Sequence, residues 1–170
     1  NNIPLIIFNA SQLHYYDLKS TVRFTKGKGI EEIGAYKNQS FSRFSFSSEL
    51  LRLINEAPPL LTSFGRYDFE GNIEFVLNQK IGSIESNNPV IMIQQFESRK
   101  VSFIPVEGWW KWKLYDYSTS GNNLAFDELF SKLSQYLILQ EDKSLFRLEY
   151  EKQYDENNEV VFRANLYNES

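Results

Sequence analysis

Three tryptophans fall within four residues of this chain, in Glu107-Gly108-Trp109-Trp110-Lys111-Trp112-Lys113-Leu114, and it has no others. Each indole carries a large apolar area that must either be buried or face something that covers it. Two arrangements satisfy the cluster: the indoles seal a core, or they form a surface on which a partner stacks. In an extended run Trp110 and Trp112 share one face, and Trp109, Lys111 and Lys113 share the other. In the core arrangement the indoles close the end of a sheet and the lysine stems cover them. Cation–π contact then adds only about 0.5–1 kcal/mol at an exposed site. In the binding arrangement the adjacent aromatic and cationic groups act as an interface hot spot for a protein or a glycan. Trp109, Trp110, Lys111, Trp112 and Lys113 are therefore the candidate binding or structural motif.

The rest of the composition narrows the chemistry. A chain of 170 residues, 42% hydrophobic and 16% aromatic, fits one domain with a real core and leaves room for a small appendage. Its formal net charge is -4 and its basic residues are scattered, so no nucleic-acid footprint is expected. It contains no cysteine, which excludes disulfides, thiolate metal sites and a thiol nucleophile. No apolar run reaches the roughly 20 residues that span a bilayer. The chain opens at Asn1-Asn2 directly on a strand pattern and Ser170 follows directly on another. These ends predict an excised piece of a larger protein.

Along the chain, Ile3-Pro4-Leu5-Ile6-Ile7-Phe8 is a continuous apolar run, the pattern of a strand covered on both faces in a parallel sheet. Thr21 to Thr25 is β-prone, and Lys26-Gly27-Lys28-Gly29 reads as a solvated loop without the ending of a phosphate loop. Ser47 caps a helix whose apolar face is Leu50, Leu51, Leu53, Ile54 and Ala57, and Pro58-Pro59 stops it. Ile73 to Ile81 alternates as a strand. Val90–Ile93 and Val101–Ile104 flank a hairpin turn at Glu97-Ser98-Arg99-Lys100. Residues 118–123 read as a loop, and Asn123 caps a helix from about Leu124 to Leu139 with Phe126, Leu129, Phe130, Leu133, Tyr136 and Leu137 on one face.

After a polar linker, the pattern changes. Phe146, Leu148 and Tyr150 alternate, as do Val160, Phe162, Ala164 and Leu166, with a turn at Asp155-Glu156-Asn157-Asn158. These are two antiparallel strands. A lone hairpin is marginal in water. It is expected to lean on the preceding body or to pair with a second copy through its open edge.

Several segments resemble one family. They are Ile3-Pro4-Leu5-Ile6-Ile7-Phe8, Pro58-Pro59-Leu60 with Phe64-Gly65-Arg66-Tyr67, Gln79-Lys80-Ile81-Gly82, and above all Gly108 to Lys113 with Trp110, Lys111, Trp112 and Lys113 in a G-x-W-K/R-W-K/R element. Phe126-Asp127-Glu128-Leu129 and Ala164 to Ser170 extend the likeness. The chain is similar to the extracytoplasmic region of large bacterial membrane proteins that carry a class I glutamine amidotransferase-like domain and are related to von Willebrand A-domain membrane proteins. The resemblance implies a partial flavodoxin-like, three-layer α/β sheet over residues 1–140. Residues 141–170 would be the first strands of a following β-sandwich, seen as a C-terminal antiparallel hairpin. It also implies a place on the periplasmic face of a bacterial inner membrane. Other domains of the same membrane protein or complex would be its partners.

Glutaminase chemistry needs a thiolate on a strand-to-helix elbow, a histidine base and a carboxylate to orient it. Aligned on such an elbow, Asn9 takes the nucleophile position. Ser11 has only His14 near it in sequence, and the family's downstream His-x-Glu element is absent. No catalytic, cofactor-binding or metal-ligating residue is therefore expected. The carboxylate pairs Glu31/Glu32 and Asp68/Glu70 read as solvated acids rather than a glycosidase pair. The reading that follows is a non-catalytic module for assembly or ligand binding. An enzyme fragment of hydrolase or amidotransferase type and a glycan-binding module built on the tryptophans are the alternatives.

Overall fold

The computed structural model describes residues 3–8, 22–96, 99–139, 146–149 and 163–166. The chain divides into two compact units, Asn1–Leu139 and Gln140–Ser170.

The first unit is built on a six-stranded mixed sheet. In chain order its strands are β1 (Leu5–Phe8), β2 (Val22–Lys37), β3 (Leu60–Phe69), β4 (Ile73–Ile81), β5 (Ile84–Gln95) and β6 (Lys100–Ile104). Helix α1 (Ser48–Glu56) joins β2 to β3, and α2 (Trp109–Ser120) and α3 (Leu124–Ile138) follow β6. The strand order is β1-β6-β5-β4-β2-β3. Only β1 and β6 run parallel, with Ile7 opposite Phe103; every other pairing is antiparallel.

This arrangement corrects the expected flavodoxin-like, three-layer α/β sheet. That fold needs a crossover of a dozen or more residues between successive strands, with helices on both sheet faces. Here β3, β4, β5 and β6 follow one another through residues 70–72, 82–83 and 96–99, connections too short for a crossover. The sheet is mixed, mostly antiparallel, and curls into a half-barrel. All three helices contribute to one core cluster with Ile33, Val76, Ile91 and Ile104. A second, smaller cluster, Val22, Tyr67, Met92, Val101 and Phe103, draws only on strand residues. Nor is β1 covered on both faces as its apolar run suggests. It is an edge strand, with Leu5 and Phe8 exposed.

The curl is made by β2. This long strand pairs with β3 through Val22–Lys26 and Ile30–Ile33, then with β4 through Gly34–Lys37, with a shift in register between Lys26 and Ile30. Lys26-Gly27-Lys28-Gly29, expected to be a loop, thus forms a bulge inside a strand. Bulges bend a strand and sharpen its twist, which lets one strand serve two partners in different directions. Two rings cover the glycines across this ladder. A Cβ on Gly27 would lie 2.5 Å from the Phe64 ring, and one on Gly65 would lie 2.5 Å from both the Phe24 ring and the Thr25 carbonyl oxygen. Here an aromatic ring lies where a side chain would otherwise pack.

The helix ends are finished by residues from elsewhere in the fold. In α1 the Ser47 Oγ accepts from the Leu50 backbone N–H at 3.1 Å, as its sequence position predicts. A capping box would need an acid three residues after the cap, but that position is Leu50. The acid comes instead from α3. Glu128 accepts from the Ser47 backbone N–H at 3.0 Å and from the Ser47 hydroxyl. At the start of α3 the expected cap, Asn123, makes no side-chain bond. Asp116 of α2, buried, accepts from the Phe126 N–H at 3.0 Å, and Asn122 accepts from the Leu124 N–H at 2.9 Å. At the end of α3, which has no basic residue in its last turn, the buried Lys100 of β6 donates to the Leu139 carbonyl at 2.8 Å. Its ammonium also lies 4.0 Å from the centre of the Tyr136 ring.

Glu128 makes one of these joints sensitive to acid. Burial pushes its carboxyl up. The hydrogen bonds from Lys132 and Ser47 and the charge of Lys132 outweigh that effect, so its pKa lies below the ordinary 4.5. A carboxylate with a lowered folded-state pKa contributes stability above its unfolded pKa and loses it as pH falls through the folded value. We expect Glu128→Gln to cost about 1 kcal/mol at pH 7. Urea melts should show that deficit shrinking below about pH 4.5. An equal deficit at pH 7 and pH 3 would contradict the assignment.

The second unit contains β7 (Phe146–Glu149) and β8 (Arg163–Leu166), antiparallel with Phe146 opposite Leu166 and Glu149 opposite Arg163. The predicted turn at Asp155-Glu156-Asn157-Asn158 lies outside the described residues.

Candidate functional site

The tryptophan motif is the first turn and a half of α2, not an extended run. Gly108 precedes it at φ 98°, a left-handed conformation that favours glycine, and so turns the chain from Glu107 into the helix. Residues 118–120, expected in a loop, belong to the same helix. The alternation of Trp with Lys imitates a strand. The burial instead repeats at Trp109, Trp112 and Asp116, the spacing of one helix face.

Helical geometry separates the three indoles. Trp112 is 1% exposed and Trp109 is 9% exposed. Their rings meet edge to face, with centroids 5.0 Å apart and planes at 67°. Trp109 also meets Phe130 of α3 edge to face at 5.3 Å. The Trp112 Nε1–H donates to the Pro58 carbonyl at 3.0 Å and the Lys111 ammonium to the Pro59 carbonyl at 3.2 Å. The motif thereby receives the chain that Pro58-Pro59 releases from α1. Lys113 lies 3.8 Å from the Asp127 carboxylate, and its ammonium is 5.7 Å from the Phe126 ring centre. Trp110 points the other way and is 64% exposed. A platform of two coplanar, exposed indoles is thus not formed.

The outward face of α2 was missed in the sequence. Trp110, Leu114 and Tyr117 stand at i, i+4 and i+7 and are 64%, 61% and 60% exposed. At about 100° per residue they form a narrow apolar row. It lies opposite the buried row of Trp109, Trp112 and Asp116. Lys111 and Lys113 flank it, one on each side. A helix apolar on two opposite faces shows little amphipathic contrast, so pattern reading overlooks it. The detectable signal was the Trp110-x₃-Leu114-x₂-Tyr117 spacing itself.

Asn9, Ser11 and His14 lie outside the described residues. Asp68 pairs with Arg66 at 3.0 Å and Glu70 with Arg23 at 3.8 Å, all of them at the surface. Neighbours in sequence on β2, Glu31 and Glu32 point to opposite sheet faces. Where the sheet curls round, Leu61 and Glu107 exchange backbone hydrogen bonds at 2.9 and 2.8 Å. Beside them is an open cleft lined by Phe24, Ile30, Thr62, Tyr67, Pro105 and Glu107. Its Thr62 hydroxyl donates to the Pro105 carbonyl at 3.2 Å. Ser63 lines it as well, so the Thr62, Ser63 and Tyr67 hydroxyls share the cleft with the Glu107 carboxylate. Among the described residues no group of three or more His, Cys, Asp or Glu could hold a metal ion. No helix among them is long and apolar enough to cross a membrane.

Comparison of the chain with protein-family models, with curated proteins and with solved structures gives no match.

Proposed function

We propose that this chain is a non-catalytic assembly module that docks another protein domain through the outward face of α2. The observation that carries the reading is the row Trp110, Leu114 and Tyr117, held exposed on a helix whose other face is anchored in the core. Exposed aromatic residues beside cations are the residue types that dominate protein interfaces. The row is also preorganised, because Trp112 and Asp116 fix the helix beneath it, so docking orders little further chain. The buried polar side chains described above, Asp116 and Lys100, are engaged with helix ends rather than with one another in a reactive cluster. By the resemblance of its tryptophan element, the module belongs to a membrane-anchored bacterial protein and works on the extracytoplasmic face.

Three measurements test this. A photo-crosslinking amino acid in place of Tyr117, in the host making the intact protein, is expected to capture one defined protein segment. The same group in place of the exposed Lys28 should not. Equal capture at both positions, or none at Tyr117, would refute the docking face. The chain has no cysteine, so Lys28→Cys gives a single thiol. We expect a membrane-impermeant maleimide to label it in intact spheroplasts; labelling only after lysis would place the module in the cytoplasm. Incubation of the purified chain with glutamine should release no ammonia above buffer. Release that disappears in Ser11→Ala would restore the enzyme reading.

A further inference from the structure

The α2 face also indicates what kind of partner fits it, an inference that rests on the docking reading above. We propose that the occupant is a single amphipathic helix of a partner protein whose apolar row is flanked by Asp and Glu. The shape argument comes first. Trp110 to Tyr117 covers two turns, about 10 Å along the axis, in a row one residue wide. The backbone of α2 is satisfied within the helix and offers nothing for an extended strand to pair with. A strand laid on the row would leave its own N–H and C=O groups facing indole and leucine unpaired. A helix satisfies its backbone internally and can set an i, i+4, i+7 row against this one.

The charge argument sets the flanks. Lys111 and Lys113 stand on either side of the row, and the first turn of α2 contains no acid. Lys111 donates to the neutral Pro59 carbonyl, and Lys113 has the exposed Asp127 at 3.8 Å. The one acid of α2, Asp116, is buried against α3 and unavailable. The helix N-terminus adds its own positive dipole at the same end. Along the row two lysines thus stand against the carboxylate of Asp127, on a chain whose formal net charge is -4. A second copy packing its own α2 here would bring the same two lysines against these, a like-charge contact. An anionic bilayer would meet the net negative charge of the chain, on a face narrower than interfacial helices use.

A displayed library of single amphipathic helices tests the proposal. The apolar row of each is fixed as Leu, the flanking positions are randomised, and selection is on the immobilised full chain. Counter-selection uses Leu114→Glu, an exposed position, with its fold checked by the thermal melt. We expect the recovered helices to be enriched in Asp and Glu at the flanks. They should bind the wild type at least about tenfold more tightly than Leu114→Glu. The double variant Lys111→Glu/Lys113→Glu should reverse the flank preference towards Lys and Arg. Row-dependent helices with neutral or basic flanks would overturn the partner class and leave the docking face standing. Recovery of no helix that discriminates against Leu114→Glu overturns the helical partner, and the Tyr117 crosslink decides separately whether the docking face survives. Sedimentation showing a dimer that Leu114→Glu abolishes would replace the proposal with a second copy. Leu114-dependent binding to phosphatidylglycerol vesicles would replace it with a membrane surface.

Discussion

Trp112→Ala should lower the stability of the first unit by about 3–5 kcal/mol, the cost of truncating a fully buried aromatic side chain. Three losses combine. The indole is 1% exposed and belongs to the main core cluster with Leu129 and Leu133. Its edge-to-face partner Trp109 loses a neighbour. The Pro58 carbonyl loses the N–H that satisfies it. Trp112→Phe keeps a ring and removes that bond, so we expect a smaller loss of about 1–3 kcal/mol. Trp110→Ala, on the exposed face of the same helix, should stay within about 0.5 kcal/mol of wild type. Urea titrations of the three variants give the ranking directly. A Trp110 variant as unstable as the Trp112 variant would mean that α2 is rotated about its axis from the orientation described.

Substitution of the β2–β3 glycines should give a graded series. Gly65→Ala is expected to cost about 1–3 kcal/mol, as overpacking does in tightly packed sites. The new Cβ would lie 2.5 Å from a backbone oxygen, that of Thr25, as well as from the Phe24 ring. The ring can swing aside, but the strand carrying the oxygen cannot move without breaking its ladder. Gly27→Ala should cost less, because its nearest obstacle is the half-exposed Phe64 ring. Gly34→Ala, farther along β2 where it pairs with β4, meets nothing nearer than 3.6 Å and should be close to neutral. Thermal melts that rank Gly34→Ala as the most damaging would show that the aromatic cover is not what constrains this ladder.

Local chemistry was enough to locate some elements. Ser47 ahead of an apolar helical face, with Pro58-Pro59 behind it, defines α1. The continuous run at 3–8, the alternation from Ile73 to Ile81, and the 3.6-residue period from Leu124 define β1, β4 and α3. Each of these signals lies within a few residues, where backbone preference and side-chain period act. The sequence also excluded thiol chemistry outright, since it contains no cysteine.

Other features depended on contacts between distant residues. Pattern reading took Lys26-Gly27-Lys28-Gly29 for a loop, because glycine and lysine disfavour strands locally. Pairing with β3, and the rings of Phe64 and Phe24 over Gly27 and Gly65, make it a bulge within β2. The tryptophan motif alternates like a strand but is a helix, since Trp109, Trp112 and Asp116 face one core. Glu128 secures the start of α1, Asp116 starts α3, and Lys100 closes α3. None of these residues is adjacent in sequence to the end it serves. The arrangement of strands was likewise undecided by the sequence, because short apolar segments can pair either way. Connection length and the bend in β2 made the sheet mixed, mostly antiparallel and curled, where resemblance implied a parallel, three-layer one. The apolar row on α2 follows the same rule. Its residues are ordinary in sequence, and only the burial of the opposite face leaves Trp110, Leu114 and Tyr117 together on the outside.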